Sequence, residues 1–180
     1  MTREQAQELL NEFTDNPSLL RHAKSVELVL TAYAKKYHQD QEEWAVTGML
    51  HDADYQKYPD EHPNIIVKRL RELNEEKIAY AISAHYTKWN VPHHSLLDKT
   101  LLACDELTGF IIACSHVRPD KLEGLKAKSV IKKLKQKSFA AKVDREEVFK
   151  GVELLEVDLS QHIDFIISVL QHHKHELDLA

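Results

Sequence analysis

The sequence is poor in the residues that build turns and disulfides, and this excludes several fold classes. Its 180 residues include only 4 Gly and 5 Pro, too few for a fold of many short strands and tight turns. The only cysteines, Cys104 and Cys114, lie in the apolar stretch LLACDELTGFIIACS, so we expect reduced core thiols. No apolar run approaches the ~18 residues of a membrane span, and the start, MTREQAQELLNEF, has no hydrophobic signal region.

The chain also lacks an excess of positive charge. Its net charge is −5 at neutral pH, which gives no general reason to expect a nucleic-acid partner. Apolar residues make up 43% and charged residues 29% of the composition, as in globular proteins. We therefore expect a soluble, cytoplasmic protein that forms one domain over residues 1–180, with no membrane partner. Histidine is unusually abundant, with 12 residues.

Helical periodicity dominates the chain, and no strand pattern or internal repeat accompanies it. Asn16 and Pro17 are start signals for the second helix, Pro63 suits the first turn of the fourth, and Asn74 is expected to cap the fifth. The sequence therefore predicts an all-α fold. The predicted helical segments are TREQAQELLNEF, NPSLLRHAKSVELVLTAYAKKY, QEEWAVTGML, EHPNIIVKRLREL, NEEKIAYAISAHY, SLLDKTLLACDELTGFIIACSHV, KSVIKKLKQK, DREEVFKGVELL and LSQHIDFIISVLQHHKHEL.

Two segments near the C-terminus have a biased composition. Residues 118–142 carry nine Lys and Arg against only two acidic residues. This segment is either a solvated helix face or a lid that attracts a phosphorylated ligand, and the composition leaves both interpretations open. The His-rich segment QHHKHEL is expected to be a frayed polar tail.

The stretch GMLHDADYQKYPDEHP places His51 next to Asp52 at the end of a predicted helix. Two more residues of the same chemistry occur on other predicted helices, namely His22 on the second helix and Asp105 within the apolar sixth. A buried, unpaired carboxylate costs several kcal/mol, and a metal cation removes that cost. Each residue alone has an ordinary structural explanation, but the four together favour a metal site.

The order H…HD…D, carried by His22, His51, Asp52 and Asp105, resembles that of the HD-domain superfamily of metal-dependent phosphohydrolases. The resemblance covers about residues 20–114, and a helical extension of about 118–180 follows. It implies a compact helical bundle in which these four residues hold a divalent metal. It also implies that Asp52 belongs to the catalytic centre.

The donor types suit a transition metal. Two imidazoles and two carboxylates, without a thiolate, suit Mn, Fe, Zn, Co or Ni. Such an ion would lower the pKa of a bound water toward ~7 and screen the charge of a phosphate. We expect one ion of this kind.

The family resemblance leaves open whether a second ion binds. Binuclear relatives add a His before a Pro, matched by His62, and two adjacent histidines, of which only His85 is present here. A helix cap for His62 and a phosphate donor for His85 remain alternatives to metal binding.

We therefore expect a metal-dependent phosphohydrolase that acts on a small phosphorylated molecule, with a nucleotide as the favoured class. Asp54 is predicted as a supporting group or general base, with an exposed turn position as its alternative, and His85, Arg118 and Lys121 as phosphate contacts. The Gly-Tyr-Pro signature of cyclic-di-GMP phosphodiesterases and the Glu-Asp pair of alarmone hydrolases are absent, so the chain resembles small stand-alone HD hydrolases. A di-iron oxygenase and a non-catalytic module that binds nucleotide or metal are the alternative functions.

Overall fold

A computed structural model describes all 180 residues and confirms the all-α prediction. It contains no strand, and none of its helices combines the length and apolar character needed to cross a membrane. The nine α-helices are α1 (Arg3–Phe13), α2 (Pro17–Lys36), α3 (Gln41–Leu50), α4 (Asn64–Glu72), α5 (Glu76–His85), α6 (Leu96–His116), α7 (Ala127–Leu134), α8 (Arg145–Leu155) and α9 (Leu159–His172), and a short 3-10 helix spans Thr87–Trp89.

The predicted helix starts hold where a side chain can accept backbone hydrogen bonds. Asn16 caps α2 by accepting from two backbone N–H groups, with Pro17 at the first helical position, and Asp40 caps α3 in the same way. The prediction for Asn74 was wrong. The residue before α5 is Glu75, which makes no side-chain cap, while Asn74 adopts a left-handed conformation with a φ of 62° just after α4.

The chain divides into two compact units, Met1–Leu101 and Leu102–Ala180. In the first unit, α3 packs against α1, α2 and α5. The contact of α3 with α2 is close because Gly48 has no side chain. A Cβ at this position would lie 2.8 Å from the Cα and backbone N of Glu27. Gly48 thus allows the backbones of two helices to approach each other one turn before His51.

Helices α3 and α5 run parallel to each other. Near their N-terminal ends the Nζ of Lys77 lies 3.4 Å from a carboxylate oxygen of Glu43. Near their C-terminal ends the rings of His51 and His85 lie 5.5 Å apart, between centroids. Both helices therefore end at the same place, and each delivers a buried histidine there.

The second unit also contains a close helix contact made by a glycine. A Cβ on Gly151 of α8 would lie 2.5 Å from the Cα of Ala103, on α6. The carbonyl of Ala103 is 2.8 Å from Nε2 of the buried His162 on α9. The expectation of a frayed tail was wrong, because Leu177 and Leu179 are buried.

Candidate metal centre

The orientation of His51 and His85 is set by the helices that carry them. Nδ1 of His51 lies 2.8 Å from the carbonyl oxygen of Gly48, and Nδ1 of His85 lies 2.5 Å from that of Ile82. A carbonyl only accepts, so each Nδ1 carries the proton and donates it, which leaves the Nε2 lone pair available as a ligand. Both histidines sit at helix ends, where the carbonyl three residues earlier is free to accept.

His62 is oriented by a carboxylate instead of a carbonyl. Its Nδ1 lies 2.7 Å from Oδ1 of the fully buried Asp54. The other oxygen of Asp54, Oδ2, accepts a hydrogen bond of 2.9 Å from the backbone N–H of Ile66. Both carboxylate oxygens are thus engaged inside the protein, and Asp54 lies behind His62 as seen from the other histidines. Carboxylates in this position are common behind metal-binding histidines.

Asp52 lies among these histidines and presents its two oxygens to different ones. Oδ2 is 3.5 Å from Nε2 of His51 and 3.9 Å from Nε2 of His22. Oδ1 is 3.2 Å from Nε2 of His62 and 3.7 Å from Nε2 of His85. One carboxylate therefore faces two separate sets of imidazole nitrogens.

Two overlapping groups of side chains could each hold a metal ion. In each group the ligand atoms lie within 4.8 Å of one another, and Asp52 belongs to both. The first group comprises His22, His51 and Asp52, and the second comprises Asp52, His62 and His85. Asp105, the fourth predicted ligand, lies on α6 in the second unit, and its part in the site stays a prediction.

The donor set passes a simple geometric test for a transition metal. The Nε2 atoms of His22 and His51 are 3.2 Å apart. Two nitrogens bound at about 2.0–2.1 Å to one ion are about 2.8–3.0 Å apart in octahedral geometry and about 3.3–3.4 Å apart in tetrahedral geometry. The separation therefore fits two ligands of a single ion. The donors are nitrogens and carboxylate oxygens without sulfur, so the site suits the metals that the sequence predicts, namely Mn, Fe, Zn, Co or Ni.

Arg118 and Lys121, the predicted phosphate contacts, follow α6 in the second unit. The guanidinium of Arg118 donates from Nε to the carbonyl of Lys121 (2.9 Å) and from Nη2 to the carbonyl of Glu123 (2.7 Å). The Arg118 side chain therefore stabilises the loop to which it belongs. The role of both residues as phosphate contacts stays a prediction.

Several residues that shape the site were missed by sequence reasoning. The carbonyls of Gly48 and Ile82 carry no side-chain signal, although a His at a predicted helix end is a cue for such a bond. The rings of Tyr55 and Tyr86 were also missed, and their centroids lie 5.6 Å and 5.7 Å from that of His62. Trp89 in turn lies 5.7 Å from Tyr86, so a run of aromatic rings adjoins the second ligand group.

Comparison with known proteins agrees with this geometry. A family model described as HD domain matches residues 19–109, just over half of the chain. The matched span contains His22, His51, Asp52, His62, His85 and Asp105. No curated protein and no solved structure matches the chain.

Proposed function

This chain belongs to the HD-domain superfamily, and on that premise we propose that it is a metal-dependent phosphohydrolase acting on a small phosphorylated molecule, with a nucleotide as the substrate class. The observation that carries the proposal is the shared carboxylate of Asp52, which faces two sets of imidazole nitrogens. Metal-dependent hydrolysis of phosphates needs such a set of nitrogen and oxygen ligands near an accessible surface, and Asp52 and His22 are partly exposed.

We assign His22, His51, Asp52 and Asp105 to one ion, and Asp52, His62 and His85 to a second. A divalent ion held there supplies positive charge against the phosphate and makes a coordinated water more acidic. The protein's part is to keep three Nε2 atoms unprotonated, which the acceptors Gly48 O, Ile82 O and Asp54 do through Nδ1. With its Nδ1 used in this way, His85 fits the role of a ligand better than that of a phosphate donor.

The aromatic rings beside His62 support a nucleotide as the substrate. Tyr55 is 47% exposed, so its ring is available for stacking, and Tyr86 and Trp89 are half-buried. A base stacked on an aromatic ring gains about 1–3 kcal/mol. A sugar phosphate would gain less from these rings. Replacing Tyr86 by Leu should then raise KM for nucleotides and leave KM for a sugar phosphate unchanged.

The decisive experiment measures metal content and hydrolysis on the same samples. The purified protein is analysed by elemental mass spectrometry and assayed with a panel of nucleotides and sugar phosphates, with phosphate and pyrophosphate release distinguished. Asp52→Ala should lose most of the bound metal and all hydrolysis, because it removes a ligand common to both groups. The matched control is Asp60→Ala, at an exposed position of the same loop, which should keep both.

The alternatives predict different outcomes of that experiment. Two bound irons without phosphate release would favour an oxygenase. Stoichiometric metal without turnover of any substrate would favour a regulatory module. Full metal content in Asp52→Ala would refute the ligand assignment itself.

A further inference from the structure

The second unit contains a cavity that is lined by cations and by no carboxylate. Its volume is about 300 Å³, and Arg118, Lys132 and Lys133 lie on its wall together with Ser129, Gln136 and the thiol-bearing Cys114. No Asp or Glu lines it, although the whole chain carries a net charge of −5. The cavity is thus a local concentration of positive charge in an acidic protein.

The helical spacing of the lining residues directs them to the same side. Ser129, Lys132, Lys133 and Gln136 follow the spacing i, i+3, i+4 and i+7 along α7 and the turn after it. The opposite side of α7 carries the buried Val130 and Leu134. The polar side chains therefore form one continuous wall of hydroxyl, amide and ammonium groups.

The cations of this cavity have no acidic partner. Neither Arg118 nor Lys132 nor Lys133 forms an ion pair in the structure, and Nζ of Lys133 lies over the ring of Phe139 at 4.2 Å. Glu123, whose carbonyl Arg118 contacts, has its carboxylate paired with Lys174 at 3.2 Å. Three cations around one cavity repel one another, and an anion in the cavity would relieve that repulsion.

Arg118 is also fixed in place before any ligand arrives. Two hydrogen bonds to the carbonyls of Lys121 and Glu123 hold its Nε and Nη2. These bonds leave Nη1 to donate, and a guanidinium that is already ordered loses little entropy on binding an oxyanion. The loop between α6 and α7 thereby adds an ordered guanidinium to the two ammonium groups that α7 contributes to the cavity.

We propose that this cavity is a binding site for a small multivalent phosphate anion, with no residue in common with the metal centre, with Arg118, Lys132 and Lys133 as its charged contacts and Ser129 and Gln136 as neutral donors. Its volume suits a diphosphate or a small phosphate ester better than a polymer. The proposal does not depend on catalysis at the histidine cluster, and it concerns a ligand held without metal.

The competing explanation is purely structural. Lys132 and Lys133 lie in the last turn of α7, where cations stabilise a helix through its dipole. On that explanation, removing them lowers the stability of the helix and has no effect on any anion.

The test uses inorganic pyrophosphate as the probe and the full chain without added metal. Backbone amide shifts in NMR spectra should move saturably for Arg118 and for residues 129–136, at constant ionic strength. The double variant Lys132→Gln/Lys133→Gln should weaken binding at least about tenfold, which corresponds to about 1.4 kcal/mol. The matched control Lys137→Gln/Lys142→Gln changes net charge equally at exposed positions outside the cavity and should stay within about twofold.

A second variant tests the site without touching the lysines. Ser129 is exposed, and Ser129→Glu places a carboxylate at the cavity, so it should abolish pyrophosphate binding while the protein stays folded. Citrate serves as a carboxylate probe of similar charge and should bind more weakly than pyrophosphate. The proposal is overturned by an absence of saturable shifts, by shifts confined to the first unit, or by equal losses in the two lysine pairs.

Discussion

At the scale of single residues, the orientation of imidazole rings decides what the histidine cluster can bind. A neutral imidazole has one lone pair, and it must face the ion rather than the protein. For His51, His62 and His85 the other nitrogen is engaged by a carbonyl or a carboxylate within 2.8 Å. The ring orientations are therefore built into the folded chain, and an arriving ion needs little rearrangement.

Asp54 offers a test of orientation against direct catalysis. In Asp54→Asn the amide cannot accept from both His62 and the N–H of Ile66, so we expect the tautomer of His62 to be lost. The affinity for the ion at His62 and His85 should fall about 10–100-fold, as is usual for partners behind ligands. Metal titration followed by calorimetry measures this directly.

Asp60→Asn is the matched control for that variant, because Asp60 is exposed in the same loop. If Asp54 acted instead as a general base, Asp54→Asn would keep its metal affinity and lose turnover alone. That combination of results would contradict the orienting role.

At the scale of helices, the position of the ligands depends on the close contact between α2 and α3. His22 lies on α2 and His51 directly follows α3, so the distance between their Nε2 atoms, 3.2 Å, depends on how tightly the two helices pack. Gly48 permits that packing, and its carbonyl also accepts from Nδ1 of His51. One residue without a side chain thus serves both the fold and the ligand.

Gly48→Ala should therefore impair stability and metal binding together. The added Cβ would lie 2.8 Å from backbone atoms of Glu27, which cannot move aside as a side chain can. We expect a loss of about 1–3 kcal/mol in the free energy of unfolding, measured by urea titration, and weaker metal binding. Gln41→Ala, at an exposed position of the same helix, should stay within about 0.5 kcal/mol of the parent. A variant as stable as the parent would show that the helices separate without cost.

The helices and the site could be predicted to different extents, for physical reasons. Amphipathic periodicity and the cap at Asn16 are local signals, and the structure bears out the helices they predict. The cap assigned to Asn74 failed because Asn also suits the left-handed position after a helix, and the chain uses it there. Local sequence alone does not separate these two uses of Asn.

The residue types of the site were readable from the sequence, whereas the contacts behind them were not. The H…HD…D order identified the family that the HD-domain match shows. Which atoms lie behind each histidine depends on where α3 and α5 end and on how the loop brings Asp54 to Ile66. The contact of Asp54 with Ile66 and the aromatic rings at His62 arise from tertiary packing, so they could not be assigned beforehand, whereas the bond from His85 to the carbonyl of Ile82 depends on where α5 ends.

At the scale of the whole molecule, the reactivity of the two cysteines measures whether the second unit is folded. Burial raises the pKa of Cys114 from its ordinary 9.0 to about 11, and burial, with a smaller contribution from Asp105, raises the pKa of Cys104 well above that ordinary value. At pH 8 a thiol of pKa 11 is ionised to about one part in a thousand, against roughly a tenth at pKa 9.0. Because the thiolate forms only as pH rises toward the raised pKa, labelling of the folded protein by an aromatic disulfide reagent should be slow at pH 8 and accelerate above pH 9. Rapid labelling of either single variant, Cys104→Ala or Cys114→Ala, at pH 8 would contradict the raised pKa of the remaining thiol.

The same thiols test whether residues 1–180 behave as one domain, as the sequence predicts. Both tryptophans, Trp44 and Trp89, lie in the first unit, and both cysteines lie in the second. The boundary between the units falls inside α6, and a helix interrupted in its interior loses the cooperativity of its hydrogen bonds. We therefore expect tryptophan fluorescence and thiol labelling at pH 8 to give the same midpoint in urea. Two separated midpoints would mean that the units unfold independently, with α6 melting at the boundary before the more stable unit does.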